Sequence, residues 1–179
     1  MLCTGTQKRT GERCPLLLRE MNQARPCIRR GSPADLSAIE SLLQSAGLPA
    51  DDIRGISGLQ TWVVEAGGSF RGAIALEPFG DAGLLRSLAI VPDARQQGLG
   101  RRLVARLESD ARAAGVRTLV LLTQTAEVFF RDLGYQAVSR DDVSNAVKSS
   151  AQFRSLCPAS ATCMSKVIVS SSDSESLRG

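Results

Sequence analysis

Residues 84–104 read LLRSLAIVPDARQQGLGRRLV, and the other elements of the chain are best placed relative to this run. Its first part is mostly apolar and ends at Pro92, which is typical of a buried strand. Its second part contains Gly98 and Gly100 and continues into a helix that Gly115 is predicted to end. The spacing gives that helix one apolar face, made of Leu99, Leu103, Val104, Leu107 and Ala111.

The two glycines at the start of this helix predict a site for an anion. A glycine lacks a Cβ, so a ligand can approach the free backbone N–H groups of the first helical turn. The helix dipole and the charges of Arg95, Arg101 and Arg102 favour a pyrophosphate at this position. The pattern Arg-x-x-Gly-x-Gly is neither the dinucleotide fingerprint Gly-x-Gly-x-x-Gly nor a P-loop, which argues against both.

The strand, the Val-Pro pair, the run Arg-x-x-Gly-Leu-Gly-Arg and the apolar helix together resemble the acetyl-CoA signature of the GNAT N-acetyltransferases. Residues 126–135 read AEVFFRDLGY and resemble the GNAT helix that lies along the far side of the CoA arm. The resemblance covers roughly residues 27–169. It implies an α/β GNAT (acyl-CoA N-acyltransferase) fold, with a mixed, mostly antiparallel sheet splayed between strands 4 and 5 and helices on both faces.

The remaining sequence is consistent with one domain at residues 26–169, preceded by a disordered or upstream extension at 1–25 and followed by a disordered tail at 170–179. Helix and strand patterns are read from periodicity, caps and turn residues. The predicted strands are 27–30, 59–65, 70–77, 84–91, 118–123 and 162–169, and the predicted helices are 32–47, 49–54, 99–115, 125–135 and 141–149, with a turn at 80–83. The strand at 118–123 is expected to run parallel to its neighbour because a helix connects them.

Composition excludes several classes of partner. Residues 1–25 hold five Lys or Arg against two Glu, whereas 26–179 hold 17 Lys or Arg against 16 acidic residues, so the domain is nearly neutral. With only seven aromatic residues, no nucleic-acid surface is expected. No apolar run approaches the about 20 residues that a bilayer requires, so no membrane partner is expected.

Cysteine and histidine usage limits the chemistry further. Five cysteines, at positions 3, 14, 27, 157 and 163, form no Cys-x-x-Cys pair, and the chain has no histidine. A zinc site and histidine-based catalysis are therefore not expected, and we predict no metal. An odd number of cysteines without close pairing in the sequence suits a reducing compartment better than a disulfide framework, which predicts a cytoplasmic protein.

The GNAT resemblance implies that acetyl-CoA is the co-substrate and that its pantetheine arm lies in the opening of the sheet. Backbone groups of Ala89, Ile90 and Val91 would bind pantetheine, and Thr123 and Phe130 would line the cofactor site. The pyrophosphate would be held by the turn and the first helical residues, namely Gln96, Gln97, Gly98, Leu99, Gly100 and Arg101.

Acetyl transfer to an amine needs a proton acceptor, a donor to the developing oxyanion and an acid for the leaving thiolate. Glu77 is the first candidate for the proton acceptor, the alternative being a solvated carboxylate at a strand end. Backbone N–H groups from Leu88 to Ile90 are candidates for the oxyanion. In many GNAT relatives, a tyrosine protonates the leaving thiolate, and this chain has Phe130 at that position. The acid is therefore absent, supplied by water, or replaced by Tyr135 or a hydroxyl such as Ser160.

Arg86, Ser87 and Cys157 are the candidates for binding the acceptor. A buried Arg86 is costly unless it is paired, so it binds either an oxyanion of the substrate or an internal carboxylate, Glu77 or Glu65. Simple alternation places Arg86 and Ser87 on opposite faces of their strand. Cys157 is expected to shape the acceptor pocket in preference to acting as a thiol nucleophile.

The run LRSLA at 85–89, together with residues 153–161, is similar to the arsenic-resistance (ArsN-type) N-acetyltransferases within the GNAT group. This finer resemblance implies transfer of an acetyl group to the primary amine of a small amino-acid-like substrate, in arsenic or toxin resistance. A non-catalytic CoA-binding regulatory or sensor module is the alternative, and a protein N-acetyltransferase ranks below both. A homodimer is an open expectation.

Overall fold

A computed structural model describes residues 25–168 of the chain, so the predictions for 1–24 and 169–179 lie outside the described residues. Within these residues there are four α-helices, α1 Leu36–Ser45, α2 Leu99–Ala113, α3 Glu127–Arg131 and α4 Asn145–Lys148, and a π-helix at Gln152–Leu156. The strands are β1 Cys27–Arg30, β2 Gln60–Ala66, β3 Ser69–Phe79, β4 Ala82–Ile90, β5 Thr118–Thr123, β6 Gln136–Ala137 and β7 Thr162–Val167. The predicted strand order is thereby confirmed over the described residues, with β6 as an added short strand.

The seven strands form one mixed sheet in the order β1-β2-β3-β4-β5-β7-β6, in which β4 and β5 are the parallel pair, as predicted. Their ladder is short: Ala82, Gly83 and Leu84 pair with 118–120, and no pairing joins the later parts of the two strands. β4 stays paired with β3 and β5 stays paired with β7. The sheet is therefore splayed between strands 4 and 5, which confirms the expected opening.

Helices cover both faces of the sheet. On one face α2 buries its predicted apolar stripe against the inner strands, and Phe130 and Tyr135 join this cluster. On the other face α1 packs through Ile39, Leu42 and Leu43. A smaller cluster on that second face surrounds Leu84 and Val120, where α4 packs. The second face thus carries two separate apolar clusters.

A β-bulge interrupts β4 in the part of the strand that no longer pairs with β5. Ala73 pairs with Ala89 but Ala75 pairs with Arg86, so two residues of β4 oppose one of β3, and Ser87 has a φ of +58°. An inserted residue reverses the alternation of side chains. Leu85 before the bulge and Leu88 and Ile90 after it all contact the α2-side core. Simple alternation, on which the prediction for Arg86 and Ser87 rests, does not hold through this strand.

Two predicted helices are wrong in extent. The helix expected at 49–54 is only a 3-10 turn at Ile53–Gly55. The helix expected at 141–149 is divided into a 3-10 turn at Arg140–Asp142 and the short α4. Val143 is extended between them, and the Ser144 hydroxyl accepts a hydrogen bond from the Val147 N–H, so the helix begins at Asn145, later than predicted, with Ser144 as its cap.

Between residues 25 and 168, no helix is long and apolar enough to cross a bilayer. Over the same range, no group of three or more His, Cys, Asp or Glu side chains is placed to hold a metal ion.

A buried hydrogen bond attaches α2 to the sheet. The fully buried Trp62 of β2 donates from Nε1 to Asp110 Oδ2 at 2.7 Å. Asp110 also accepts from Arg106 on the exposed side of the helix, at 3.0 Å. One carboxylate thus satisfies a buried indole and a surface guanidinium.

We expect Asp110→Ala to lower the free energy of unfolding by about 1–3 kcal/mol, because the buried indole N–H loses its acceptor. The matched control is Arg106→Ala, which removes an exposed ion pair and should cost only about 0.5 kcal/mol. Urea denaturation followed by tryptophan fluorescence measures both values. Equal losses in the two variants would contradict the role assigned to the buried bond.

Candidate functional site

The N-terminus of α2 lies beside the opening and presents unused backbone donors. Gln96 and Gly98 have φ values of +61° and +73°, which turn the chain into the helix. The ladder of α2 begins with the bond from Arg102 N–H to the Gly98 carbonyl, at 3.1 Å. The N–H groups of residues 99–101 precede that bond and have no acceptor inside the helix. A Cβ placed on Gly98 would have no atom within 4 Å, so the space beside this glycine at the start of the helix is open.

α3 packs against this helix start. A Cβ on Gly100 would lie 3.4 Å from Cζ of Phe129, so a glycine permits the close contact. The Arg101 guanidinium pairs with Asp132 at 3.1 Å on the exposed surface. Gln97 is fixed within its own turn, since its Nε2 donates to the Asp93 carbonyl at 3.1 Å. The predicted pyrophosphate residues are therefore brought together in one turn.

The residues predicted to contact pantetheine lie along the opening, but part of their backbone is already engaged. Val91 N–H donates to the Arg71 carbonyl at 3.0 Å, and the Val91 carbonyl accepts from Ala94. The Ile90 carbonyl accepts from Nε of Arg95 at 3.2 Å. A pantetheine contact at Val91 would therefore have to use a carbonyl that already accepts one bond.

Thr123 and Phe130 lie on the β5 side of the opening. Thr123 ends β5, and its Oγ1 accepts a hydrogen bond from Ala126 N–H at 2.9 Å, which holds the turn into α3. Phe130 is only 4% exposed and packs edge-on against Phe129 and Tyr135, with ring centroids 5.1 and 5.4 Å away. Thr123 thus holds the turn into α3, and Phe130 packs α3 into the core on the α2 face.

A buried charged cluster occupies the second face, between its two apolar clusters. Arg86, whose side chain is fully buried, donates to both carboxylate oxygens of Asp52 at 2.6 and 2.7 Å. Its Nη1 is also 3.4 Å from Oε2 of Glu77, on β3. The internal pairing with Glu77 is thus present, whereas Glu65 instead pairs with Arg29, at 2.5 Å.

Burial raises the pKa of the Glu77 carboxyl above its usual value, although the Arg86 guanidinium opposes this shift. The negative charge of Asp52 adds to the rise. A carboxylate with a raised pKa holds a proton more strongly, and such a group is a better proton acceptor near neutral pH.

Cys157 lies close to this cluster. Burial raises the pKa of its thiol, while Arg140 and Arg86 oppose the rise and Asp52 adds to it. Arg140 is held at the same end of the sheet by bonds from Nη2 to the carbonyls of Pro158 and Ala161, at 2.7 and 3.3 Å. Cys157 thus lies within range of the charges of Arg86 and Asp52, although it is far from both in sequence.

Tyr135 is not part of this group. It belongs to the core on the α2 face, opposite the face that carries Glu77, and it is 1% exposed. Burial, together with the nearby Glu108 carboxylate of α2, raises the pKa of its hydroxyl far above the usual value. The Nζ of Lys166, which pairs with Glu108 at 2.8 Å, lies 5.4 Å from the tyrosine ring. Such a phenol remains protonated and distant from the predicted proton acceptor.

Asp52 is the residue of this cluster that the sequence analysis missed. It precedes the 3-10 turn that follows α1, and 34 residues separate it from Arg86. The need for a partner of a buried arginine was a usable signal, but the chain offers many acidic residues. A separate surface cavity of about 350 Å³, lined by Arg30, Leu36 and Arg54 among others, contains none of the predicted site residues.

Residues 57–137 match the family model described as "Acetyltransferase (GNAT) domain". Among curated proteins, an amino-acid acetyltransferase of Azotobacter vinelandii is 42% identical over 76 residues, which is 41% of this chain and 18% of that protein. A similar protein of Pseudomonas syringae pv. tomato is 37% identical over 94 residues, or 51% of this chain and 22% of that protein. The chain thus spans about a fifth of the length of these curated relatives.

Solved structures agree on the architecture. N-acetylglutamate synthase from Neisseria gonorrhoeae, complexed with coenzyme A and N-acetyl-glutamate, superposes with a TM-score of 0.69 at 23% identity. It covers 83% of this chain and 36% of its own. An acetyltransferase from Streptococcus agalactiae gives a TM-score of 0.62 at 20% identity and covers 82% of this chain and 99% of its own. The described part of this chain therefore has the GNAT fold, with the GNAT domain match at its centre.

Proposed function

We propose that this protein is an acetyl-CoA-dependent N-acetyltransferase that acts on the primary amine of a small amino-acid-like acceptor. The observation that carries the proposal is the row of unused N–H donors at the start of α2, which opens beside a sheet splayed between β4 and β5. The match of residues 57–137 to the GNAT domain supports it. The curated relatives named amino-acid acetyltransferases support the class of acceptor.

The donor side follows from the geometry of the turn. The N–H groups of residues 99–101 would hold the pyrophosphate, because the positive end of the helix dipole favours an anion there. Gln96, Gln97 and Arg101 would complete this contact. The pantetheine arm would lie in the splay along Ala89 and Ile90. When bound, the thioester supplies an activated acyl carbon.

The acceptor side would be the buried charged cluster of the second face. Glu77 would take the proton of the amine, since its pKa is raised and one of its oxygens makes no bond to Arg86. Leu88, next to the bulge, would donate its N–H to the developing oxyanion. Ser87 and Cys157 would border the acceptor. Asp52 already accepts from both terminal nitrogens of Arg86, so the Arg86 group left without a partner for an acceptor carboxylate is its Nε–H.

The source of the proton for the leaving thiolate is proposed to be water. Phe130 has no acidic group at the position where many GNAT relatives carry tyrosine. Tyr135 lies in the opposite core and keeps its proton, so its location gives no support to the role predicted for it.

Two finer interpretations remain proposals within this class. The resemblance of residues 85–89 and 153–161 to arsenic-resistance acetyltransferases favours amino-bearing arsenical or phosphinic acceptors. The phenylalanine at position 130 favours the second candidate function, a CoA-binding module without turnover. A cytoplasmic location and a homodimer stay predictions.

For donor binding, we expect Gly98→Ala to weaken CoA affinity about tenfold, because the new Cβ enters the space in front of the helix donors and strains a positive φ. The control is Gly115→Ala, which also has a positive φ and open space but lies at the far end of α2. Isothermal titration with CoA measures both. Equal affinities in the two variants, or no saturable binding by the unmodified protein, would overturn the proposed donor site.

For acetyl transfer, thiol release from acetyl-CoA should depend on added amine in a panel of amino acids that includes amino-bearing arsenicals and phosphinic acids. Glu77→Gln should lower kcat/KM by about 100-fold, since it removes the proton acceptor. The control Asp81→Asn removes a charge from the exposed turn at the end of β3 and should leave activity unchanged. Tight CoA binding without release for any amine would favour the non-catalytic module.

A further inference from the structure

Asp52 holds the buried guanidinium of Arg86 in a fixed orientation. Both terminal nitrogens of Arg86 bond to this one carboxylate at 2.6 and 2.7 Å, which is the strong bidentate arrangement. Glu77 receives only one contact from the same guanidinium, at 3.4 Å. The Arg86 side chain is fully buried, whereas those of Asp52 and Glu77 are 18% and 13% exposed. The two carboxylates thus share one cation unequally.

This unequal sharing matters because a guanidinium would otherwise suppress the basicity of Glu77. A cation bonded at full strength favours the charged carboxylate and weakens it as a proton acceptor. The charged groups that act on Glu77 are Arg86 from β4 and Asp52 from the turn after α1. On the far side of the cluster, the charges of Arg140, Arg86 and Asp52 act on the Cys157 thiol.

We propose that Asp52 is a positioning residue for acetyl transfer, which holds the Arg86 guanidinium in a bidentate pair, 3.4 Å or more from Glu77, and so keeps Glu77 available as the proton acceptor. This inference rests on the proposed function for its catalytic meaning. The contacts among Asp52, Arg86 and Glu77 are independent of any acetyl donor.

Removing the Asp52 charge should lower the pKa of Glu77. An asparagine offers one oxygen and an NH₂ group, so it cannot accept both bonds from the Arg86 fork. The guanidinium is then released toward Glu77, the nearest remaining carboxylate, while a negative charge is lost from its surroundings. Both changes lower the pKa of Glu77.

The test is a ¹³C NMR titration of the Glu77 carboxyl in the full chain, with its resonance assigned by its loss in Glu77→Gln. Asp52→Asn should lower the titration midpoint by about one pH unit, and the acidic limb of kcat/KM should move down by the same amount. The control Asp51→Asn removes a charge from the neighbouring exposed position and should leave both unchanged.

Asp52→Asn leaves a buried guanidinium with fewer acceptors, so a second variant covers the case in which it does not fold. Relative to Arg86→Gln, the double variant that also carries Asp52→Asn should lower the Glu77 midpoint by far less than one pH unit, because the cation that transmits the effect is absent from both. A fall of a full pH unit without that cation would overturn the proposal.

The outcomes also separate this inference from the proposed function. An unchanged Glu77 midpoint in Asp52→Asn, with activity lowered equally at every pH, would show a structural role only and would overturn the proposal. A lowered midpoint in a protein that acetylates no amine would uphold the control of Glu77 by Asp52 and would overturn the acetyltransferase assignment together with the catalytic role of Asp52.

Discussion

The short parallel ladder between β4 and β5 is the constraint on which the rest of the structure depends. The helix α2 must cross from the end of one strand to the start of the other, which makes them parallel neighbours, yet only 82–84 and 118–120 pair. β4 then follows β3 and β5 follows β7, so each keeps an antiparallel partner while the two separate. In the opening, the facing edges of β4 and β5 are unpaired, but each strand keeps its antiparallel partner on its other side.

The bulge at Ser87 changes which side chains of β4 lie on each face of the sheet beside this opening. It reverses the alternation of β4 just before the strand ends, so apolar side chains on both sides of the bulge reach the α2 core. Because the turn from β4 to α2 is short, the unused donors at the helix start come to lie where the strands separate. Bulges at such positions redirect side chains without ending the strand.

On the opposite face of the sheet, the side chain of Arg86 buries a full positive charge. Burying a guanidinium costs on the order of several kcal/mol, because the charge loses its hydration. Carboxylates in close contact offset this cost. Asp52 and Glu77 supply these contacts between two apolar clusters. The arrangement concentrates charge in a region that otherwise excludes water, where its effect on proton affinity is strongest.

Much of this was determined by the sequence alone. The strand, the turn with Gly98 and the apolar face of α2 were predictable because they depend on neighbouring residues, whose dihedral preferences and spacing are local. The tertiary structure decided which carboxylates meet Arg86, on which face Tyr135 lies, and how α4 begins. The pairing of Asp52 with Arg86 depends on the packing of α1 and the turn after it, and contacts between residues 34 positions apart leave no periodic signal in a chain.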